Sequence, residues 1–448
     1  MNRIIKKIVS CMTGFAMLMA VNISSVYAVE SLQSAETELT DGTFTYEMVN
    51  GTYTITKCNT TAIVGSIPEY RNGYSVTAIG DYALSNCTAI GSLKIPDTIT
   101  SIGDGAFAGC TSLTKVTLPE RIDKLSNGIF MGCSSLSEVD IPDSVKTIES
   151  YAFYNCSALK DVELSKKLVT IEPMAFAQCS SIENIDAENT DAFTFSDGIL
   201  YDRNKTTIYR ASTKLTGEVY IENTVKSIEP GAFSVCAGIE RLFFPSSVET
   251  IGDDAFGYCV SLKKIDFARG LKSIADIAFK NCVSLESVEF PLTLTEIGEG
   301  AFFNCPELNR VIIPESVETI GTGAFVNCGK LERISVPKSV ASIGENAFAY
   351  SLDDDGNYVL DKSFDMSVYS DSAGIKYAKD NGISYSAVDK NLSGLVFILI
   401  GAGGAIVIIV FAVVLMSKGR KSASYSARKA KKLAKEKEEE ENYRNIIE

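Results

Sequence analysis

Of the side chains that ordinarily carry catalysis, this 448-residue sequence has no histidine, and it has no tryptophan either. Without an imidazole there is no Ser-His-Asp or Cys-His nucleophile pair and no His-containing zinc site. Carboxylates are plentiful, but glycoside hydrolysis needs two of them set across a cleft, and nothing in the pattern of the chain supplies that. Eleven cysteines follow Cys11, starting with Cys58 and Cys87; from Cys87 they recur every 23 residues, as in Cys110, Cys133, Cys156 and Cys179, and again from Cys236 to Cys328. One thiol per 23 residues is not a CxxC metal arrangement, and an odd total cannot pair completely. Export would favour disulfides, yet a Cys at one equivalent position per unit reads as a small buried hydrophobe. The run Asp353-Asp354-Asp355-Gly356-Asn357 suggests calcium, but its Gly is fourth rather than sixth and no Glu closes the loop, so it reads as a polar turn. The sequence therefore points away from an enzyme and calls for no cofactor or metal.

What remains is recognition by surface side chains, and the elements that carry them are repeated. Ile or Leu stands at 79, 102, 125, 148 and 171, then at 228, 251, 274, 297, 320 and 343, always 23 apart within a block. Phe107, Phe130, Phe153 and Phe176, then Phe233 through Phe348, keep the same step, with Leu84 as first member. Eleven units follow, and a fixed period of this size means a solenoid. In Leu113-Thr114-Lys115-Val116-Thr117-Leu118 apolar and polar residues alternate, as in a strand with one buried face. Pro119 ends it, having no N–H to donate. The stretch Gly103 to Cys110 is too short for a long helix and brings Ala106 and Phe107 inward, which predicts a short helical or 3₁₀ return. Neither element buries its apolar side alone, so each unit needs neighbours, and the strands join a parallel sheet along one face.

The shared pattern, Leu-x-x-Val-x-Leu-Pro-x-x-Val-x-x-Ile-Gly-x-x-Ala-Phe-x-x-Cys, resembles the BspA-like family of bacterial surface leucine-rich repeats over about residues 41 to 388. Single copies depart from it: Ile129 replaces Ala, Ser165 and Ala268 replace Pro, and Ser351 replaces the final Cys. The resemblance implies a leucine-rich-repeat arc with no active site, and surface adhesion, in some members to host matrix proteins. Together the expectations make an α/β repeat: a leucine-rich-repeat solenoid at 79–350, with a parallel strand face and short returns, plus one C-terminal transmembrane helix.

Three segments break the period. An N-terminal segment and cap is expected at 29–78, with a hairpin turning at Asn50-Gly51. A hairpin insertion is expected near 187–217, where Cys179 and Ile228 lie 49 positions apart instead of 15. Residues 351–388 resemble the family's terminal segment and should close the apolar end.

Charge and the chain ends set the compartment. The net charge is −14; residues 1–28 hold three basic side chains and no acid, residues 417–448 ten basic and six acidic, which leaves the body between them at −21. Such a body disfavours nucleic acid as partner. Arg3, Lys6 and Lys7, the apolar run Ile8 to Val21 and Val26-Tyr27-Ala28 read as a signal peptide, 1–28. After a linker at 389–394, Leu395 to Met416 is uncharged for 22 residues, enough to span a bilayer. Lys418, Arg420 and Lys421 follow, which places the tail 417–448 in the cytoplasm and the body outside. Gly401 and Ala405 form a small-xxx-small pair that favours dimerisation of the span, a weak signal because such pairs are common.

Outward strand residues are then the candidate ligand contacts. One row includes Asp140, Glu163, Asp186, Phe243 and Ile312; its neighbour includes Glu138, Asp161, Arg241, Arg310 and Arg333. Glu138, Asp140, Asp161, Glu163 and Asp186 would crowd three successive strands. Like charges facing across strands destabilise a sheet, which makes this patch a candidate for a basic ligand or cation. Arg241, Phe243 and Arg310 form a second, mixed candidate. The expected function is recognition of an extracellular protein or glycan from the cell surface; the alternative is a membrane receptor or structural anchor acting through its span and tail.

Overall fold

The computed structural model describes residues 39–388. The signal peptide, span and tail expected from the sequence lie outside them. Among the described residues no helix is long and apolar enough to cross a membrane.

Each regular unit contributes two strands. The first is the alternating segment already singled out, as in Lys115–Thr117, which pairs in parallel with Glu138–Asp140. The second is a two-residue strand that ends on the periodic Ile, as in Thr250–Ile251 paired with Ser273–Ile274. The pattern gave no hint of this second ladder, because two residues are too few to show an alternation. On the C-terminal side it builds a nine-stranded sheet that ends on Ser342–Ile343.

The returns between the ladders are turns rather than the helical or 3₁₀ segments expected, and the backbone shows why. In the return at Gly105–Cys110, Gly105 and Gly109 both have positive φ, at 57° and 72°. The equivalent residues of other units do too, including Ile277 at 53° and Val235 at 60°. Two left-handed residues four apart interrupt any helical run. The N–H groups alternate accordingly. Those of Gly105, Phe107 and Gly109 donate to Asn127, Ile129 and Met131 in the next coil at 2.7–2.9 Å, while those of Ala108 and Cys110 close local turns. Among the described residues one α-helix is found, Ala373–Asn381, capped by the Ser372 hydroxyl accepting from the Ile375 N–H at 3.3 Å.

The returns point Phe and Cys into the core. Phe107, Phe130, Phe153 and Phe176 stack with centroids 5.2–5.6 Å apart, and Phe233 through Phe348 repeat the stack at 4.8–5.4 Å. The eleven cysteines from Cys58 to Cys328 are buried and free. Beyond filling space, the thiols from Cys110 to Cys328 donate to carbonyls one coil back: Cys133 to Phe107 at 3.1 Å, Cys282 to Phe256 at 3.3 Å. Burial pushes the thiols from Cys110 to Cys328 up, Cys110 and Cys328 themselves to about 12, so they stay protonated and weakly reactive.

Two apolar clusters make the core, one from Phe44 to Leu200 and one from Ile199 to Ile383. They meet where the period breaks. Phe193–Ser196 and Ile199–Asp202 form an antiparallel hairpin, Thr207–Ala211 extends it, and that strand pairs in parallel with Ser227–Ile228. Here Arg210 is fully buried. Its Nη1 donates to the carbonyls of Gly231 and Ser234 at 3.1 and 3.0 Å and to Ser234 Oγ at 3.2 Å; Nη2 donates to the Cys179 carbonyl at 2.9 Å. One guanidinium thus joins the last coil before the break to the first one after it. Beside it, Gln178 Nε2 donates to the buried Asp254 carboxylate at 2.7 Å.

Phe44–Val49 and Thr52–Cys58 form an antiparallel hairpin at the N-terminal end, turning at Asn50 and Gly51, both with positive φ. At the other end Tyr377, on the helix, meets Phe348 edge-on at 6.0 Å and donates its hydroxyl to the Phe348 carbonyl at 3.3 Å.

Candidate binding face

The strand face carries the candidate residues outward, and its polar side chains pair mainly from coil to coil. Lys263 meets Glu240 at 2.8 Å and Arg241 meets Asp266 at 2.5 Å, each between one coil and the next. Against that background the acidic strands differ. Glu138 is ion-paired with Lys115 of the preceding coil, which removes it from the crowded five. Asp140, Asp161, Glu163 and Asp186 have no ion-pair partner among the described residues; the first three are exposed and Asp186 is half-buried. Glu163 and Asp186 face each other in register.

The hydrogen-bonded order of strands stops between Glu138–Asp140 and Asp161–Glu163. Continued pairing there would set Glu138 beside Asp161 and Asp140 beside Glu163. A second stop falls between Arg310–Ile312 and Arg333–Val336, where it would set Arg310 beside Arg333. Like charge alone does not set these stops, because Glu163 beside Asp186 and Arg241 beside Lys264 lie within continuous pairing.

The mixed candidate is not one patch. Arg241 and Arg310 lie on strands separated by those of Lys264–Phe267 and Ser287–Glu289. Neither offers a free charge: Arg310 pairs with Glu289 at 3.3 Å, and Arg241 lies between Glu218 at 3.5 Å and Asp266 at 2.5 Å. Burial raises the Asp266 carboxyl, but the hydrogen bond from Arg241 and the charge of Lys264 outweigh it and hold the group below its ordinary value. The Arg241 guanidinium also covers the Phe243 ring, 4.4 Å from its centroid.

Phe243 has a second neighbour that the pattern of the sequence did not bring forward. Tyr220 stacks on it at 4.3 Å with 2° between planes, and its hydroxyl donates to Glu218 Oε2 at 2.8 Å, an interaction that raises the Tyr220 pKa. Stepping back 23 residues from Arg241 and Phe243 lands on Glu218 and Tyr220. The signal was there, hidden because the unit before it lacks the Phe and Cys that mark the others.

The Asp353 to Asn357 run is a turn between Tyr350–Leu352 and Tyr358–Leu360. The Asp353 carboxylate accepts from the N–H groups of Asn357 and Asp355 at 2.7 and 3.0 Å, which lowers its pKa. Its acceptor capacity is spent on its own turn.

Compared with known families, residues 77–205 and 211–353 match the BspA type leucine rich repeat region in six copies. The chain belongs to that family. The BspA-type match leaves out only 206–210 between its two parts, a gap that contains Arg210. Among solved structures, a leucine rich cell surface protein from Faecalibacterium prausnitzii A2-165 is similar at 28% identity, with 71% of this chain and 96% of that one covered and a TM-score of 0.52. The pneumococcal vaccine antigen PcpA is similar in fold, at 17% identity, 78% and 98% coverage and a TM-score of 0.58. A comparison with curated proteins gives no match.

Proposed function

We propose that this chain is a non-catalytic binding protein of the cell surface, held by one span at 395–416 with the repeats outside, which recognises an extracellular protein through its strand face. The observation that carries the reading is the group Asp140, Asp161, Glu163 and Asp186: carboxylates without ion-pair partners among the described residues, on a face where other carboxylates, such as Glu138, Asp266 and Glu289, are paired. A basic segment of a partner would neutralise them with little reorganisation, since the strands are held from below by the Phe and Cys stacks. Complementary charge of this kind raises the rate of encounter and the specificity more than the raw affinity. The family and the Faecalibacterium cell surface protein support the surface role.

The test is a binding survey of the full-length chain against extracellular matrix proteins, repeated with Asp140→Asn/Glu163→Gln. A partner is expected whose affinity falls with the double substitution and falls again in about 0.5 M salt. A partner indifferent to both would refute this placement. Protease added to intact cells should remove the repeats and leave a short tail fragment; protected repeats would refute the topology.

A further inference from the structure

Apart from the acidic strands, we propose that the cleft between the insertion hairpin and Gly217–Tyr220 is a binding site for a neutral saccharide, with one sugar ring stacked on the free face of Tyr220. The cleft encloses about 460 Å³. Asp197, Tyr201, Thr216, Glu218, Tyr220 and Asn223 are among its lining residues.

Three features select the ligand. First, Tyr220 is 64% exposed and yet fixed, because Phe243 covers one face of the ring and Glu218 holds its hydroxyl. Gly217–Tyr220 is the edge strand of its five-stranded sheet, so among the described residues no further strand pairs beyond it in that sheet. An exposed ring that is already ordered loses little freedom when a flat apolar surface stacks on it. Second, two of the three carboxylates of the lining are ion-paired, Glu218 with Arg241 at 3.5 Å and Glu222 with Lys205 at 3.0 Å, which leaves Asp197. One remaining carboxylate is a weaker draw for a cationic peptide than the four on the acidic strands. Third, Asp197, Asn223 and Thr216 line the same cleft and supply acceptors and donors. A partner with one apolar face and a rim of hydroxyls satisfies both the ring and the rim, and that is the chemistry of a sugar.

The test is calorimetric titration of the full-length chain, in a detergent without a sugar headgroup. The probes are neutral oligosaccharides of glucose, galactose, mannose and N-acetylglucosamine. At least one should bind at millimolar concentration or better. Tyr220→Ala should weaken it about tenfold, the scale of one aromatic contact. Tyr220→Leu, which keeps an apolar side chain over Phe243, should weaken it to a similar degree, while Tyr220→Phe should stay within about threefold of the parent because the stacking face is kept. Added salt and the Asp140→Asn/Glu163→Gln pair should leave sugar binding unchanged, so this site and the acidic strands stand or fall separately. No binding across the panel at millimolar concentration would overturn the proposal. So would undiminished binding by a folded Tyr220→Leu, or salt-sensitive binding of a lysine peptide that Tyr220→Ala abolishes.

Discussion

Replacing Arg210 with Met should uncouple the two halves of the core. Met keeps the apolar stem and much of the length but removes every donor. The carbonyls of Cys179, Gly231 and Ser234, now 2.9–3.1 Å from the guanidinium, would be left with one partner fewer in a site that water does not reach. Gly231 keeps the N–H and hydroxyl of Ser234 as donors, so two acceptors are left short; at about 1–3 kcal/mol each, the gross loss is about 2–6 kcal/mol. Relief from burying a guanidinium offsets several kcal/mol of that. The net loss is therefore smaller, on the order of 1–3 kcal/mol. A second consequence is qualitative. Because Arg210 holds together coils from both apolar clusters, its loss should split unfolding into two calorimetric transitions. Arg210→Lys, with three donors and no planar fork, should fall between parent and Met variant. The assay is scanning calorimetry with urea unfolding as a check. A single transition with an unmoved midpoint in Arg210→Met would refute the assignment of Arg210 as the joint.

Three further outcomes follow from the geometry. Val235 holds a φ of 60° where most other units place Gly or Asn, Gln178 and Tyr258 excepted; a left-handed β-branched residue costs about 1–2 kcal/mol, so Val235→Asn should stabilise by about 1 kcal/mol, and an unchanged urea midpoint would contradict this. Burial pushes Asp254 up to about 6 from an ordinary 3.8, partly countered by Gln178. A raised carboxyl pKa favours the folded protein fully below the unfolded value and loses that advantage as pH rises through the folded one. Relative to Asp254→Asn, the parent should therefore lose on the order of 3 kcal/mol between about pH 4 and pH 7; parallel pH profiles would show that the carboxyl is not perturbed. Thiol titration of the denatured, unreduced protein should find the repeat cysteines free, whereas recovery of one thiol or none would mean that they are bridged.

Much of the architecture could be read from residue types alone. The 23-residue step of Ile, Phe and Cys announced a stacked array, since only stacking buries three apolar positions per unit, and the strand alternation at Val116 and Leu118 placed the outward row. The returns were harder. Gly-Asp-Gly-Ala-Phe is compatible with a tight helix, and what prevents it is hydrogen bonding between coils, which a single unit does not display. The second ladder was illegible for the same reason. At the candidate sites, the row gave the positions of Glu138 and Arg241 but not Lys115 or Asp266 as their partners, because ion pairing depends on side chains reaching between coils. Tyr220 was missed because the unit before its own lacks the marker residues, with Arg210 and Thr213 where Phe and Cys would stand, although register with Phe243 survived.

The inter-coil hydrogen bonds of the returns bear on how such a chain changes in length. Each regular coil offers the next the same backbone donors and acceptors, in the same order, whatever its outward side chains are. Excising one 23-residue unit between two regular coils, or duplicating one, leaves a junction chemically equivalent to those already present, so repeat number is free to drift through recombination while both ends stay closed. The junction at Arg210 has no such freedom. Its donors fit three particular carbonyls, and a coil inserted there would separate them. Variation in length should therefore accumulate on either side of the insertion and spare the insertion itself.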